Sequence, residues 1–164
     1  ESIDAGWGIE AGSGIKAGWG IEAGGGIEAV ESIKARESIK AGWGIEAGES
    51  IKAGESIKAG ESIEAVESID AGSGIKAGES IKAGESIEAV ESIDAGWGIE
   101  AGSGIKAGWG IEAGLGIIAK LSIFAGLISW RMPTDQERTI RAQYVSGTVV
   151  CGVVVLHDKG VVRS

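Results

Sequence analysis

Apolar and polar residues alternate along residues 1–126 with a strict period of six. Read from Glu1, this part of the chain divides into 21 hexads, which begin ESIDAG, WGIEAG and SGIKAG and end with LSIFAG. The third position of each hexad is Ile and the fifth is Ala, whereas the fourth is Glu, Asp or Lys until it becomes Ile118 and Phe124. Residues two apart share one face of an extended strand, so Ile and Ala should point inward and the charge between them outward.

The spacing of the apolar positions excludes a helix. A helix needs apolar residues three and four apart, and each Gly in it would cost about 1 kcal/mol. The second position is always Gly or Ser and the sixth is usually Gly, which permits a turn after each short strand. The sixth position departs from Gly at Val30, Arg36, Val66, Val90 and Lys120. The repeat predicts an all-β fold, a single-stranded β-solenoid over residues 1–126.

The Ile and Ala alternation resembles that of the hexapeptide-repeat β-helix proteins, in which a large aliphatic and a small residue alternate inward. The resemblance covers about three quarters of the chain and implies triangular coils of three hexads each. The chain departs from that family because Ala, not the aliphatic residue, precedes the Gly-like turn position. It resembles the pentapeptide-repeat solenoids more loosely, since their period is five.

Charges at the fourth position favour a different coil. Stacked strands lie about 4.8 Å apart, so like charges should avoid stacked positions. Over the first 19 hexads, those two apart carry opposite charges in 13 of 17 pairs, and those three apart in only 6 of 16. The charge pattern therefore favours, by a small margin, a flat 12-residue coil of two hexads over the triangular 18-residue coil.

The first two positions of the hexad covary. Ser always follows Glu, and Gly follows Trp, Ser or Gly. A small neighbour would leave room for the indole ring to lie across the turn. Duplication of gene segments would give the same pattern, and residues 1–24 and 91–114 are identical. Both explanations stay open at the level of the sequence.

The C-terminal part, residues 127–164, is predicted to be a β-hairpin cap and dimerisation segment. The runs RTIRAQYV and TVVCGVVVL flank Ser146-Gly147, which is typical of a hairpin turn. The run 149–156 is apolar on both faces, although a cap needs only one apolar face. We therefore expect a homodimer, with the outward apolar residues of the last hexads in the same interface. The predicted cap and dimer residues are Ile118, Phe124, Trp130, Tyr144, Val149, Val153 and Val155.

The net charge of −9 is unevenly distributed. Residues 1–126 carry 21 acidic and 10 basic side chains, and residues 127–164 carry 3 and 5. An acidic body disfavours direct binding to nucleic acid and favours a basic protein partner. The lone Cys151 favours a reducing, cytoplasmic location, with association with a virion as a second option, and no apolar run is long enough for a membrane helix. The start at Glu1, without Met, indicates a processed or trimmed chain.

The sequence predicts no catalytic, cofactor or metal site, and hence no enzyme. The hexapeptide-repeat acyltransferases use a histidine within the prism, whereas the repeat array has none and His157 lies beyond it. Cys151 and His157 lack a third group that would orient them as a nucleophile pair. One His and one Cys give no metal cluster, and no helix follows the Gly-rich turns to hold a phosphate.

Two hypotheses for function remain. The first is an elongated, non-enzymatic interaction protein, in its sharper form an acidic mimic of nucleic acid, as the pentapeptide-repeat inhibitors are thought to be. The duplicated, cassette-like repeats would suit the gene of a phage or mobile element. The alternative is a fibre, spike or scaffold segment of a larger assembly. One continuous negative face would favour the mimic, and evenly mixed charge the structural role. Candidate interaction residues are five repeat tryptophans, although packing along the solenoid is the competing interpretation: Trp7, Trp19, Trp43, Trp97 and Trp109.

Overall fold

The computed structural model describes residues 1–126 and 132–157 and contains a parallel β-solenoid of about eight turns. The repeat array forms 19 short strands: β1 (Ile3–Ala5), β2 (Ile9–Ala11), β3 (Ile15–Ala17), β4 (Ile21–Ala23), β5 (Ile27–Ala29), β6 (Ile33–Ala35), β7 (Ile39–Ala41), β8 (Ile45–Ala47), β9 (Ile51–Ala53), β10 (Ile57–Ala59), β11 (Ile63–Ala65), β12 (Ile69–Ala71), β13 (Ile75–Ala77), β14 (Ile81–Ala83), β15 (Ile87–Ala89), β16 (Ile93–Ala95), β17 (Gly98–Ala101), β18 (Gly104–Ala107) and β19 (Ile111–Ala113). The last two hexads of the array form one longer strand, β20 (Gly116–Ala125), and three strands follow the array: β21 (Thr139–Ala142), β22 (Tyr144–Cys151) and β23 (Val153–Leu156).

Each turn of the repeat array contains three hexads. Ile3 of β1 pairs with Ile21 of β4, three hexads further on, and Ile9 pairs in the same way with Ile27. The preference for a 12-residue coil is therefore wrong, and the coil has the length that the hexapeptide resemblance implies. Like charges can stack in this coil because an exposed pair at 4 Å costs only about 1 kcal/mol in water. Each buried Ile contributes about 1.5–3 kcal/mol, which outweighs that repulsion.

The three strands of a turn define three faces. Face 1 is a nine-stranded sheet of β1, β4, β7, β10, β13, β16, β19, β21 and β23. Face 2 contains β2, β5, β8, β11, β14 and β17, and face 3 contains β3, β6, β9, β12, β15 and β18. Strand β20 pairs with both β17 and β18, so it continues from face 2 to face 3 and joins them into one 14-stranded sheet.

The first residue of each hexad lies at an edge between faces. The 3–1 edge carries Glu1, Trp19, Glu37, Glu55, Ser73, Glu91 and Trp109. The 1–2 edge carries Trp7, Gly25, Trp43, Glu61, Glu79, Trp97 and Leu115. The 2–3 edge carries Ser13, Glu31, Glu49, Glu67, Glu85, Ser103 and Leu121.

Isoleucine and alanine fill the interior, as the alternation predicts. From Ile15 onward, every Ile and Ala at the third and fifth positions of the hexads is buried, and the charged residue between them points out in each strand. The core therefore continues through the rod as columns of identical side chains. Among the described residues no polar or charged side chain is buried.

Glycine at the sixth position is explained by the close approach of successive turns. A Cβ on Gly48 would collide with the carbonyl of Val30 one turn before, and a Cβ on Gly60 would collide with the carbonyl of Gly42. Positive φ is not the general reason, because among the described residues it occurs only at Gly126, Gly147 and Gly152, and of these only Gly126 is a sixth-position residue. Sixth-position residues stack in columns, one from each turn. No two of the residues that carry a side chain there are neighbours in a column, because Gly always lies between them: Val30, Arg36, Val66, Val90 and Lys120.

The C-terminal strands extend the solenoid and do not form the predicted hairpin. Strand β21 pairs in parallel with β19 and β23, and β22 pairs in parallel with β20. Ser146-Gly147 forms the bend between faces 2 and 3 because Val145 and Val149 stack on Ile117 and Ile123. This turn is shorter than the others, since Ile140 pairs with Val154, which follows it by less than three hexads of chain.

The chain between β20 and β21 contains an insertion, of which the structure describes residues 132–138. Ile111 and Ile140 are stacked although the chain between them is well over one turn of the repeat array in length. In the described part of the insertion, the Thr134 hydroxyl donates to the Glu137 carboxylate and Arg138 pairs with Asp135. Trp130, one of the predicted cap residues, lies outside the described residues. In the part of the chain that the structure describes, no helix is long and apolar enough to span a membrane.

Candidate interaction surface

The solenoid register sorts the charges of the fourth position by face. Face 2 carries Glu10, Glu28, Glu46 and Glu64 on four successive turns, followed by Lys82 and Glu100. Face 3 starts with Lys16, Lys34 and Lys52, and face 1 has Lys40, Lys58 and Lys76 on its middle turns. Seven of the eight lysines at the fourth position therefore lie outside face 2.

Glutamates on the neighbouring edges enlarge the negative side of face 2. Glu31, Glu49, Glu67 and Glu85 occupy four successive turns of the 2–3 edge, and Glu61 and Glu79 lie on the 1–2 edge. We call face 2 with these two edges the acidic surface. Its eleven glutamates are Glu10, Glu28, Glu31, Glu46, Glu49, Glu61, Glu64, Glu67, Glu79, Glu85 and Glu100, accompanied by the two cations Lys82 and Lys120.

Serine hydroxyls hold the edge glutamates in place. Ser32 donates to Glu49 at 2.9 Å, and Ser50 donates to Glu67 at 2.9 Å, in each case one turn further on. The same bond joins Ser38 to Glu55 at 3.2 Å on the 3–1 edge. Ser62 and Ser68 make the same bond to Glu79 and Glu85 at 3.5 and 3.4 Å, so five edge glutamates each accept a hydrogen bond from the Ser one turn before. These bonds orient the carboxylates along the edges.

The repeat tryptophans lie at edges and are exposed. Trp7 is 84% exposed, and Trp19, Trp43 and Trp97 are each more than half exposed. They divide between two edges, with Trp7, Trp43 and Trp97 on the border of the acidic surface. Trp109 is the least exposed because the insertion lies beside it, where Gln136 and Glu137 line the same cavity.

A shallow groove of about 460 Å³ follows the border between the 1–2 edge and face 2. Trp43 lines it together with the carboxylate-bearing residues Glu28, Glu46, Glu61 and Glu64. An indole face beside carboxylates suits the guanidinium of an arginine, which combines an ion pair with a cation–π contact. The groove thus combines an aromatic face with negative charge.

Ion pairs form where acidic and basic blocks meet along a face. Lys40 lies 3.9 Å from Glu22, Lys82 lies 3.4 Å from Glu64, and Lys106 lies 3.7 Å from Glu88. Inside a block, by contrast, like charges stack: Glu28 has Glu10 on one side and Glu46 on the other. The carboxylates at the centre of the acidic surface are therefore available to a basic partner.

Two aspartates outside face 2 have raised pKa values. Partial burial raises the pKa of Asp94 above its ordinary value of 3.8, Lys76 acts against the shift, and Glu112 adds to it. Partial burial likewise raises the pKa of Asp70, with Lys52 lowering and Glu88 raising it. Asp94 lines a cavity of about 360 Å³ with Trp109, Glu112 and Arg141 beside the insertion.

The remaining predicted site residues lie in the last turns. Leu115, Leu121 and Tyr144 are exposed, and Ile118, Phe124 and Val149 are half-buried. Cys151 ends β22 on face 3 and is half-buried, whereas His157 follows β23 on face 1 with Nε2 3.4 Å from the Ala113 carbonyl oxygen. The two side chains are thus placed at opposite ends of β23. Among the described residues, no three His, Cys, Asp or Glu side chains form a metal-binding group.

No protein-family model matches the chain, and neither the curated proteins nor the solved structures contain a match. We therefore base the proposal for function on the geometry of the surface.

Sequence reasoning missed the acidic surface, although it named the tryptophans on its border. The charges separate only when hexads three apart are placed in one column. One signal could have revealed this register: the segment 1–24 recurs at 91–114, an offset of fifteen hexads. Fifteen hexads make a whole number of three-hexad turns but not of two-hexad turns.

Proposed function

We propose that the chain is a non-enzymatic, elongated binding protein whose acidic surface occupies the nucleic-acid site of a basic partner protein. The observation that supports it is the collection of eleven glutamates on one side of the rod, against two cations. The resemblance to hexapeptide-repeat proteins is one of architecture, and the identical segments suit the gene of a phage or mobile element. The unpaired Cys151 suits a reducing, cytoplasmic location.

The charge density of the acidic surface is of the order that a nucleic-acid site recognises. Its first six turns carry eleven glutamates and Lys82, a net charge of −10. At about 4.8 Å per turn, this is roughly one negative charge per 3 Å of axis, compared with about one per 1.7 Å for duplex DNA. The lysines that would weaken a mimic lie mainly on the other faces.

Competition with a nucleic acid tests the proposal. The full chain is titrated into complexes of a fluorescent DNA duplex with each of a panel of purified nucleic-acid-binding enzymes, and anisotropy reports release of the duplex. We expect release from at least one enzyme, with an affinity that falls as salt rises. The triple variant Glu28→Gln, Glu46→Gln and Glu64→Gln should weaken this competition at least about tenfold, since each lost interfacial charge contact costs about 1 kcal/mol or more.

A matched control separates the surface from the overall charge. The variant Glu37→Gln, Glu55→Gln and Glu91→Gln makes the same change in net charge on the 3–1 edge. It should compete nearly as well as the unaltered chain. Equal losses in the two triple variants, or equal binding to basic proteins that bind no nucleic acid, would contradict the proposal.

A second role, as a fibre or scaffold segment, is favoured by the open end of the solenoid. Strands β22 and β23 each pair on one side only among the described strands. Electron microscopy of concentrated protein distinguishes the two roles, because a fibre segment should form filaments and a mimic should remain as short rods.

A further inference from the structure

The last turn of the solenoid leaves its interior open. The inward-pointing Val154 and Leu156 of β23 are 41% and 59% exposed, whereas Ile140 and Ala142, one turn before, are each 0% exposed. Each earlier turn is covered by the next, but among the described residues no further turn covers this one. An exposed apolar end of this kind marks an interaction surface.

The free edge of β23 also presents backbone hydrogen-bonding groups. Val153 and His157 donate their N–H groups to Arg138 and Ala142 of the turn before. Because donors alternate along a strand, the N–H groups of Val154 and Leu156 point toward the open end. An unpaired, apolar strand edge is a template for another strand.

We propose that a second copy of this chain covers the open end, with the two β23 strands paired antiparallel about a twofold axis. The outward side chains on the last turns are apolar as well, with Tyr144, Val150, Val153 and Val155 all exposed. A cap that closed only the interior would leave these side chains in water. A second, identical end matches the triangular cross-section and contributes the same apolar rim.

The distribution of charge favours contact through this end rather than along the rods. Residues 1–126 carry a net charge of −11, and all the glutamates of the acidic surface lie there. Two rods joined at their C-terminal ends keep these surfaces farther apart than the screening length of about 10 Å. Two rods side by side would bring glutamate edges together. The end contact also leaves both acidic surfaces accessible.

The mass of the full chain in solution tests the dimer. Sedimentation equilibrium should give twice the chain mass of 16.6 kDa. The variant Val154→Lys with Leu156→Lys places charges on the open end and should shift the protein to monomer, with the dimer dissociation constant raised at least about a hundredfold. The matched control, Val66→Lys with Val90→Lys, adds the same charge at exposed edge positions and should remain dimeric.

Cross-linking keeps the test valid if the lysine variant does not fold. A bismaleimide long enough to span a β23 strand should join two unaltered chains through Cys151, because antiparallel pairing places the two Cys151 side chains at opposite ends of the paired strands. The variant Cys151→Ser with Ser2→Cys carries its only thiol in the first turn and should not cross-link. A monomeric mass for the unaltered chain, as expected if residues 158–164 cover the edge, would overturn the proposal. So would cross-linking through the first turn alone. Either result leaves competition by the acidic surface unaffected.

Discussion

Gly12 and Gly48 occupy the same hexad position in the same column of the rod, yet their surroundings differ. A Cβ on Gly12 would meet nothing within 4 Å. A Cβ on Gly48 would collide with the backbone of Val30, and Val66 already carries a side chain one turn further on. Whether glycine is needed at the sixth position therefore depends on the residue stacked one turn before. A single hexad does not show which residue that is.

Substitution at these two glycines tests that dependence. We expect Gly48→Ala to lower the free energy of unfolding by about 1–3 kcal/mol, because the turns must move apart to admit the methyl group. Gly12→Ala should change it by less than about 0.5 kcal/mol. Urea denaturation followed by circular dichroism measures both. A small effect of Gly48→Ala on the free energy of unfolding would contradict this expectation. It would show that the turns can separate at this position as readily as they do at Val30, which already carries a side chain.

At the scale of the strand, the charge ladders show which forces determine the fold. Lys34 is stacked between Lys16 and Lys52, and Glu28 between Glu10 and Glu46, without any change of register. Exposed like charges cost too little to displace a column of buried isoleucines. The alternation found between hexads two apart therefore relates side chains on different faces, which do not stack in the rod.

Asp94 is a strand residue whose ionisation should affect stability. Its pKa is raised, chiefly by burial, so the folded chain holds this proton more tightly than the unfolded chain does. The penalty for its ionisation is absent well below pH 3.8 and grows as pH rises through the folded pKa. Asp94→Asn should therefore raise the midpoint of thermal unfolding by about 1–3 °C at pH 7 and leave it unchanged near pH 3.

Thermal melts at both pH values measure this effect. The control is Asp4→Asn, which removes an exposed carboxylate at the equivalent place on face 1. It should not stabilise the protein at pH 7. A gain at pH 3 equal to that at pH 7 would mean that ionisation is not the cause.

At the scale of the whole molecule, the number of hexads in a turn determines the length of the rod. Glu10 and Glu100 lie on face 2, five turns apart, at about 24 Å. Two-hexad turns would place them about 36 Å apart. Spin labels at Glu10→Cys and Glu100→Cys in a Cys151→Ser background should give the shorter distance by pulsed electron paramagnetic resonance. The longer distance would contradict the three-hexad turn.

Much of this architecture could be predicted from the sequence, because every hexad repeats the same pattern. The alternation of Ile and Ala was enough for the solenoid and its inward and outward positions. The turn length could not be read from charges that contribute so little energy. The C-terminal strands were misassigned because Ser146-Gly147 suits a hairpin locally, whereas stacking of Val145 on Ile117 is a non-local contact.

The separation of charge by face has a consequence for how such a rod can change in length. Each hexad contains its own core residues and its own bend, so gain or loss of one hexad keeps the interior intact but rotates everything beyond it by a third of a turn. Only the gain or loss of three hexads, or of a multiple of three, keeps the acidic surface on one side of the rod. The identical segments at 1–24 and 91–114 obey this restriction, since their offset of fifteen hexads returns each side chain to the same face. A gene that recombines in units of three hexads changes the length of the rod in steps of about 4.8 Å and keeps the acidic surface on the same side.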